Sequence, residues 1–225
     1  MTDNTNQDRE TRLIIASGNK GKVGEFSTLL RPLGLKIAGL ENFLAERGLS
    51  LPEPEENGET FLENASVKAR YYADALKVPA LADDSGLCVK ALGGAPGVRS
   101  ARYGGEKASF SRRFELLLTE LKGVRDREAF FQAVLVLARP GDSEILSWEG
   151  RLEGLIAEKP AGDDGFGYDP VFYVPELSRT LAQMSPAEKN LISHRGRAAA
   201  LMLRDKEKVR LFINDSPEDP PFLGS

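Results

Sequence analysis

Leu13-Ile14-Ile15-Ala16-Ser17-Gly18-Asn19-Lys20-Gly21-Lys22 decides the fold. Four apolar residues of strand type run into a glycine-framed polar turn. Val23, Phe26, Leu29 and Leu30 then share one helical face, which predicts a helix from about Lys22 to Leu30, stopped by Pro32 and Gly34. Leu35 to Leu40 reads as a second short strand. Strand, loop, helix and strand in that order open an α/β domain.

The pattern continues outward. Residues 41–59 read as loop or weak helix and end in the acidic run Glu53 to Glu59. Thr60-Phe61-Leu62-Glu63 is a capping box, and the helix behind it runs to about Leu76. Pro79 to Ala82 reads as a strand halted by Asp83-Asp84-Ser85-Gly86, with Leu87 to Val89 extended again. A glycine-rich turn at Gly93 to Gly97 precedes an amphipathic helix from Ser109 to Leu121. Glu128 to Arg139 and Glu144 to Glu158 alternate as strands do, and Pro140-Gly141-Asp142 joins them as an antiparallel hairpin. Ser185-Pro186-Ala187-Glu188 is a second capping box, with proline where its missing N–H costs nothing. The helix it opens runs to about Arg204 with a break near Ser193. Residues 1–11 read as a disordered leader, 12–204 as one α/β domain, and 205–225 as a C-terminal tail outside the core.

Composition narrows the function. The formal net charge is −4, against the basic surface that a nucleic-acid backbone requires. No apolar run approaches the roughly 18 residues of a membrane span, and no secretory leader is visible. A cytoplasmic protein with no nucleic-acid or membrane partner is expected. Cys88 is the single cysteine, which excludes an internal disulfide or a thiolate cluster. His194 is the single histidine, so hydrolytic chemistry would rest on carboxylates, lysines and a hard metal ion.

Five turns carry polar groups where α/β proteins place their sites. Ser17-Gly18-Asn19-Lys20-Gly21-Lys22 opens a helix with two glycines and two lysines, as a phosphate cradle would. It is not a Walker A loop, because Val23 stands where Ser or Thr would hold magnesium. An ordinary strand–helix turn is the other reading. Asp83 and Asp84 point to opposite sides of an extended chain, so one can face a cleft while the other ties down the loop, or both belong to a simple turn. A carboxylate at a strand end suits Mg²⁺. The Glu53–Glu59 run is either a second ligand source or a solvated loop, and Lys68 either a surface lysine or a further phosphate contact. In Gly165-Phe166-Gly167-Tyr168-Asp169-Pro170 the aromatic ring between glycines can stack on a base or pack beneath the loop. Ser193-His194-Arg195-Gly196 offers donors that could read a carbonyl on a base edge, or a helix junction with solvated charge.

Six stretches in order carry a resemblance: Ser17–Glu25, Glu56–Ala65, Leu81–Leu87, Gly94–Tyr103, Gly165–Phe172 and Ser193–Gly196. The chain resembles the inosine/xanthosine triphosphate pyrophosphatase family over roughly residues 13–203. The resemblance implies an elongated α/β fold with a strongly twisted mixed sheet, flanking helices and a cleft between two lobes. It implies a Mg²⁺-dependent homodimer that hydrolyses ITP, dITP and XTP to nucleoside monophosphate and pyrophosphate. By this resemblance Ser17, Gly18, Asn19, Lys20, Gly21, Lys22 and Lys68 hold the triphosphate. Asp84 is the catalytic carboxylate and a metal ligand, Glu56 the second ligand with Glu55 its rival, and Ser85 a substrate contact. Phe166 stacks on the base beside Gly167, Tyr168 and Asp169, while Lys189, His194 and Arg195 read it. A pyrophosphatase acting on modified pyrimidine nucleotides, or a nucleotide-binding module without turnover, are the alternatives.

Overall fold

The computed structural model describes residues 12–105 and 108–214. The leader expected over 1–11 and the last part of the expected tail, 215–225, lie outside them. Seven strands form one mixed sheet: β1 (Arg12–Ile15), β2 (Lys36–Gly39), β3 (Ala80–Val89), β4 (Glu128–Ala138), β5 (Ile145–Ile156), β6 (Phe172–Val174) and β7 (Arg179–Thr180). Their order is β2-β1-β3-β4-β5-β6-β7. β1 runs parallel to β2 and β3, and β3 through β7 are antiparallel neighbours. The expected hairpin is β4–β5, in register from Glu128 opposite Leu155 to Ala138 opposite Ile145.

Seven helices flank the sheet: α1 (Lys20–Leu29), α2 (Leu40–Arg47), α3 (Phe61–Leu76), α4 (Phe110–Glu120), α5 (Pro186–Ile192), α6 (His194–Arg204) and α7 (Lys206–Asn214). Both capping boxes form, at Thr60–Glu63 and at Ser185–Glu188. Strand alternation sends β1 side chains to two layers. Leu13 and Ile15 pack with Phe26, Leu30 and the residues of α6 and α7, whereas Ile14 and Ala16 pack with Phe43 and the apolar face of α3. A third cluster lies farther along, where Leu87 and Phe131 meet Phe172 and Leu117 of α4.

Three sequence expectations are corrected. The acidic stretch Asp83-Asp84-Ser85-Gly86 does not halt a strand, for β3 is continuous from Ala80 to Val89 and pairs with β4 along its whole length. Gly86 is there because the chain passes close to it. A Cβ at that position would lie 2.3 Å from the Gly97 carbonyl oxygen and 2.5 Å from Ser100 Oγ. Leu40, read as the end of the second strand, instead opens α2, which takes the helical alternative for 41–47 and is closed by Gly48 in the left-handed conformation. Residues 206–214, read as tail, form α7, whose Val209, Phe212 and Ile213 are buried in the first core cluster. Their spacing puts them on one helical face. Arg139 clamps this end, its Nη1 donating to the Phe212 carbonyl at 3.2 Å and its guanidinium lying 4.7 Å from the Phe212 ring. Phe212→Ala is therefore expected to lower unfolding free energy by about 3 kcal/mol. Urea denaturation checks this, since a side chain in a solvated tail would change it by less than ~0.5 kcal/mol.

Candidate active site

β3 runs between the two helical layers, so its neighbouring carboxylates face different partners. Asp83 lies opposite Leu135 on the side of α1 and α6, and Asp84 opposite Val134 on the side of α3. Asp83 Oδ2 accepts Lys22 Nζ at 2.8 Å and Arg195 Nε at 3.1 Å. Ser85 Oγ donates to the same oxygen at 3.1 Å. Burial alone would raise the Asp83 carboxyl, but Lys22 and Arg195 outweigh it and hold it well below the usual carboxylate range. Asp84 sees weaker support. Asn64 Nδ2 donates to its Oδ2 at 3.1 Å and the Ser85 amide to its Oδ1 at 3.0 Å. Burial pushes this carboxyl up to about 6, against the pull of Lys68 and Lys22.

The first turn is built as a helix start. Asn19 caps α1 by accepting the Lys22 amide at 3.2 Å, and Ser17 Oγ accepts the Asn19 amide at 3.2 Å. Only Asn19 and Lys22 of this loop reach the central hollow. Gly18 turns toward the acidic side chains, its Cβ position 3.4 Å from Glu53 Oε1. Lys20 and Gly21 lie on the far side of Phe166. Burial lowers the Lys22 ammonium, with Asp83 opposing.

The central hollow measures about 290 Å³ and is lined by Lys22, Ser85, Phe166, His194 and Arg195, with Gly167, Tyr168 and Asp169 on the same wall. The ring of Phe166 is held from behind. A Cβ on Gly21 would lie 3.3 Å from the ring, and Lys189 Nζ lies 4.5 Å from its centroid. Gly165 and Gly167 both take left-handed conformations, which other residues adopt only with strain. Asp169 anchors the loop by accepting the Phe166 amide and Lys189 Nζ, each at 2.8 Å. Tyr168 is buried and its hydroxyl donates to the Ser100 carbonyl at 3.1 Å.

α6 begins at this wall. Ser193 caps it, and it packs onto β5 at Gly150, where a Cβ would lie 2.0 Å from the His194 carbonyl oxygen. His194 stacks on Phe131 with centroids 4.7 Å apart, and burial holds its imidazole neutral. Its Nδ1 is buried without a partner among the described residues. Arg195 is committed in three directions: Nε to Asp83, Nη1 to Glu25 at 3.2 Å and Nη2 to Ser85 at 2.7 Å.

Most of the expected site residues fall into three adjoining groups, with Ser17, Gly18, Lys20 and Gly21 outside them. Asn19, Lys22, Ser85, Phe166, Gly167, Tyr168, Asp169, His194 and Arg195 meet at the hollow. Asp84 is not on its wall but one residue from Ser85, in a second group with Lys68 and Glu56, where Lys68 Nζ lies 2.8 Å from Glu56 Oε1. Lys189 lies behind Phe166, buried between Asp169 and Glu25. Glu55 pairs instead with the side chain of Asn57 at 2.8 Å, whereas Glu56 shares the Lys68 ammonium that acts on Asp84. Among the described residues no three His, Cys, Asp or Glu side chains gather as a metal cluster. Sequence reasoning missed Glu25 and Asn64, and it left open which of the two aspartates ties down its surroundings, a part that Asp83 takes. Glu25 follows Lys22 by one helical turn and Asn64 follows the Thr60 cap by one, which is the signal that was there to read.

A family model described as the Ham1 family matches residues 13–205. The chain belongs to the Ham1 family. It is 50% identical over 197 residues to a dITP/XTP pyrophosphatase from Thermus thermophilus, covering 87% of this chain and 91% of that one. It is 48% identical over 195 residues to a dITP/XTP pyrophosphatase from Yersinia pestis, covering 85% and 96%. The solved structure of a HAM1 protein from Coxiella burnetii superposes with a TM-score of 0.79 at 43% identity, covering 88% of this chain and 98% of that one. Within the described residues no helix is long and apolar enough to cross a membrane.

Substitutions at the two carboxylates of β3 are expected to act in opposite directions. Asp83→Asn leaves Lys22 and Arg195 without their shared anion and should cost about 3–5 kcal/mol of stability. Asp84 has a raised pKa, so its stabilising protonated form is present below about pH 4 and lost as pH rises through 6. Asp84→Asn should therefore stabilise the metal-free protein by about 2–3 kcal/mol at pH 8 and by almost nothing near pH 4. Thermal unfolding in a chelator at both pH values checks both signs.

Proposed function

We propose that the chain is a nucleoside-triphosphate pyrophosphatase that hydrolyses dITP, ITP and XTP to the nucleoside monophosphate and pyrophosphate. The observation that carries this reading is the hollow itself. A ring held from behind by cations, Phe166, shares it with a neutral His194 whose Nδ1 lacks a partner, and with Lys22. The names of the relatives point the same way.

A base lying on Phe166 would present its edge to His194 and to the two N–H groups that Arg195 keeps beyond its three protein bonds. Hypoxanthine and xanthine carry an acceptor oxygen at position 6, where adenine carries an amino donor. The phosphates would then run past Lys22 toward Lys68, which brings the α-phosphorus to Asp84. Water attacks that phosphorus in line, Asp84 Oδ accepts its proton, and the bridging oxygen leaves with pyrophosphate. Lys22 and Lys68 offset the charge that grows on the leaving group.

The donor set fits a hard cation. Asp84 is a buried carboxylate whose ionised form is short of positive charge, and Glu56 shares Lys68 with it. Mg²⁺ commonly takes one or two carboxylates and completes its shell with phosphate oxygens and water. Asp84 and Glu56 would hold it, and bound there it neutralises phosphate charge and polarises the anhydride. The reading includes a homodimer, from the family resemblance, and a cytoplasmic location, from the composition of the sequence.

The test is a panel of nucleoside triphosphates with Mg²⁺, scored for pyrophosphate against orthophosphate. dITP, ITP and XTP are expected to give pyrophosphate well above ATP and the pyrimidine nucleotides. Orthophosphate as the product, or a pyrimidine nucleotide as the best substrate, would overturn the reading. Phe166→Ala should raise KM for ITP about tenfold through lost stacking. An unchanged KM would mean that the ring serves only the loop.

A further inference from the structure

Helix α4 gives the hollow two side chains that the proposed reaction does not use. Phe110 and Arg113 lie three residues apart on the first turn of the helix, and both line the hollow. The Arg113 guanidinium sits 5.2 Å from the Phe110 ring centroid. It makes no hydrogen bond or ion pair with a described residue, and its Nε is buried without an acceptor. Orphaned buried N–H groups are rare in folded proteins, because such a donor has lost water and gained nothing.

The positions of the orphans matter more than their existence. Among the described residues three buried side-chain atoms lack partners: Asp83 Oδ1, Arg113 Nε and His194 Nδ1. The last two belong to residues that line one hollow from different elements, α4 and α6. A ligand lying between them would have polar atoms along one edge for both. A purine base is such a ligand. Its position-6 oxygen is common to hypoxanthine, xanthine and guanine, so a group reading that oxygen cannot tell the three apart. They differ at position 2, where hypoxanthine has hydrogen, xanthine a carbonyl and guanine an amino group. An arginine side chain only donates. It pairs with a carbonyl and meets an amino group donor against donor, which discriminates strongly in a desolvated pocket.

We propose that Arg113 is a specificity-determining residue that donates to the 2-carbonyl of xanthine and turns away the 2-amino group of guanine. This rests on the pyrophosphatase reading of the hollow. Phe110 packs on the guanidinium and limits where the fork can point. The chemistry expected of the preferred substrate is therefore a 2,6-dioxo purine nucleotide.

The test uses the full chain. kcat/KM for pyrophosphate release is measured with XTP, ITP and GTP for the unmodified protein, Arg113→Met and Arg113→Gln. Affinity for the three monophosphates is measured by calorimetry as a readout independent of turnover. In Arg113→Met the XTP-to-ITP ratio should fall about tenfold and the GTP-to-ITP ratio should rise. Arg113→Gln, which offers both a donor and an acceptor, should keep more of the XTP ratio than Met does and admit GTP. The monophosphate affinities should shift in the same order. XTP and ITP declining in parallel would place Arg113 on a part that the substrates share and overturn the proposal, as would ratios within twofold of the unmodified protein in both variants. Should Arg113→Met not fold, the glutamine variant decides by the same ratios. If the unmodified protein releases no pyrophosphate from any of the three, the pyrophosphatase reading has failed, and that is visible before any variant is made.

Discussion

The buried carboxylate of Asp83 is the constraint on which the site depends. It lies on β3 and draws Lys22 from α1 and Arg195 from α6 onto one oxygen. Neither cation could stay in so dry a place alone, because an unpaired buried charge costs several kcal/mol. Arg195 in turn reaches Glu25, and Glu25 reaches Lys189, which closes on Asp169 beneath the Phe166 loop. One chain of ion pairs thus runs from β3 through α6, α1 and α5 to the loop of the aromatic ring. The ring, the capping helix and the lysine hold fixed relative positions because each is tied to the same charged scaffold.

Alternation along β3 then separates structure from chemistry. Two adjacent aspartates face opposite layers and acquire opposite electrostatics. Asp83 meets two cations at contact distance and stays ionised, whereas Asp84 meets one amide side chain and one backbone N–H and is easily protonated. A carboxylate kept short of positive charge is one that gains by taking a cation or a proton. Such placement costs stability in the free protein, the usual trade at a functional site.

Much of this could be read from residues close together in the chain. The β1–turn–α1 unit, both capping boxes, the β4–β5 hairpin and the break at Ser193 all rest on local patterns, and all are present in the structure. The errors have separate causes. Asp83-Asp84-Ser85-Gly86 looks like a turn because nothing near it in sequence neutralises two carboxylates. The groups that do so include Arg195, 112 residues away. The stretch that forms α7 read as tail because three prolines and Gly224 follow Leu211, although Val209, Phe212 and Ile213 have the spacing of a buried face. Arg113 gave no signal at all, since an arginine on an amphipathic helix is ordinary until the wall it lines is known.

The division of labour between the two aspartates is most directly tested by carboxyl-detected NMR titration of the metal-free protein, with Asp83→Asn and Asp84→Asn used for assignment. Asp84 should show a midpoint near 6. Asp83 should remain ionised below the pH at which an ordinary aspartate protonates. Midpoints that both fall near 4, or an Asp83 that protonates before Asp84, would contradict the separation of roles.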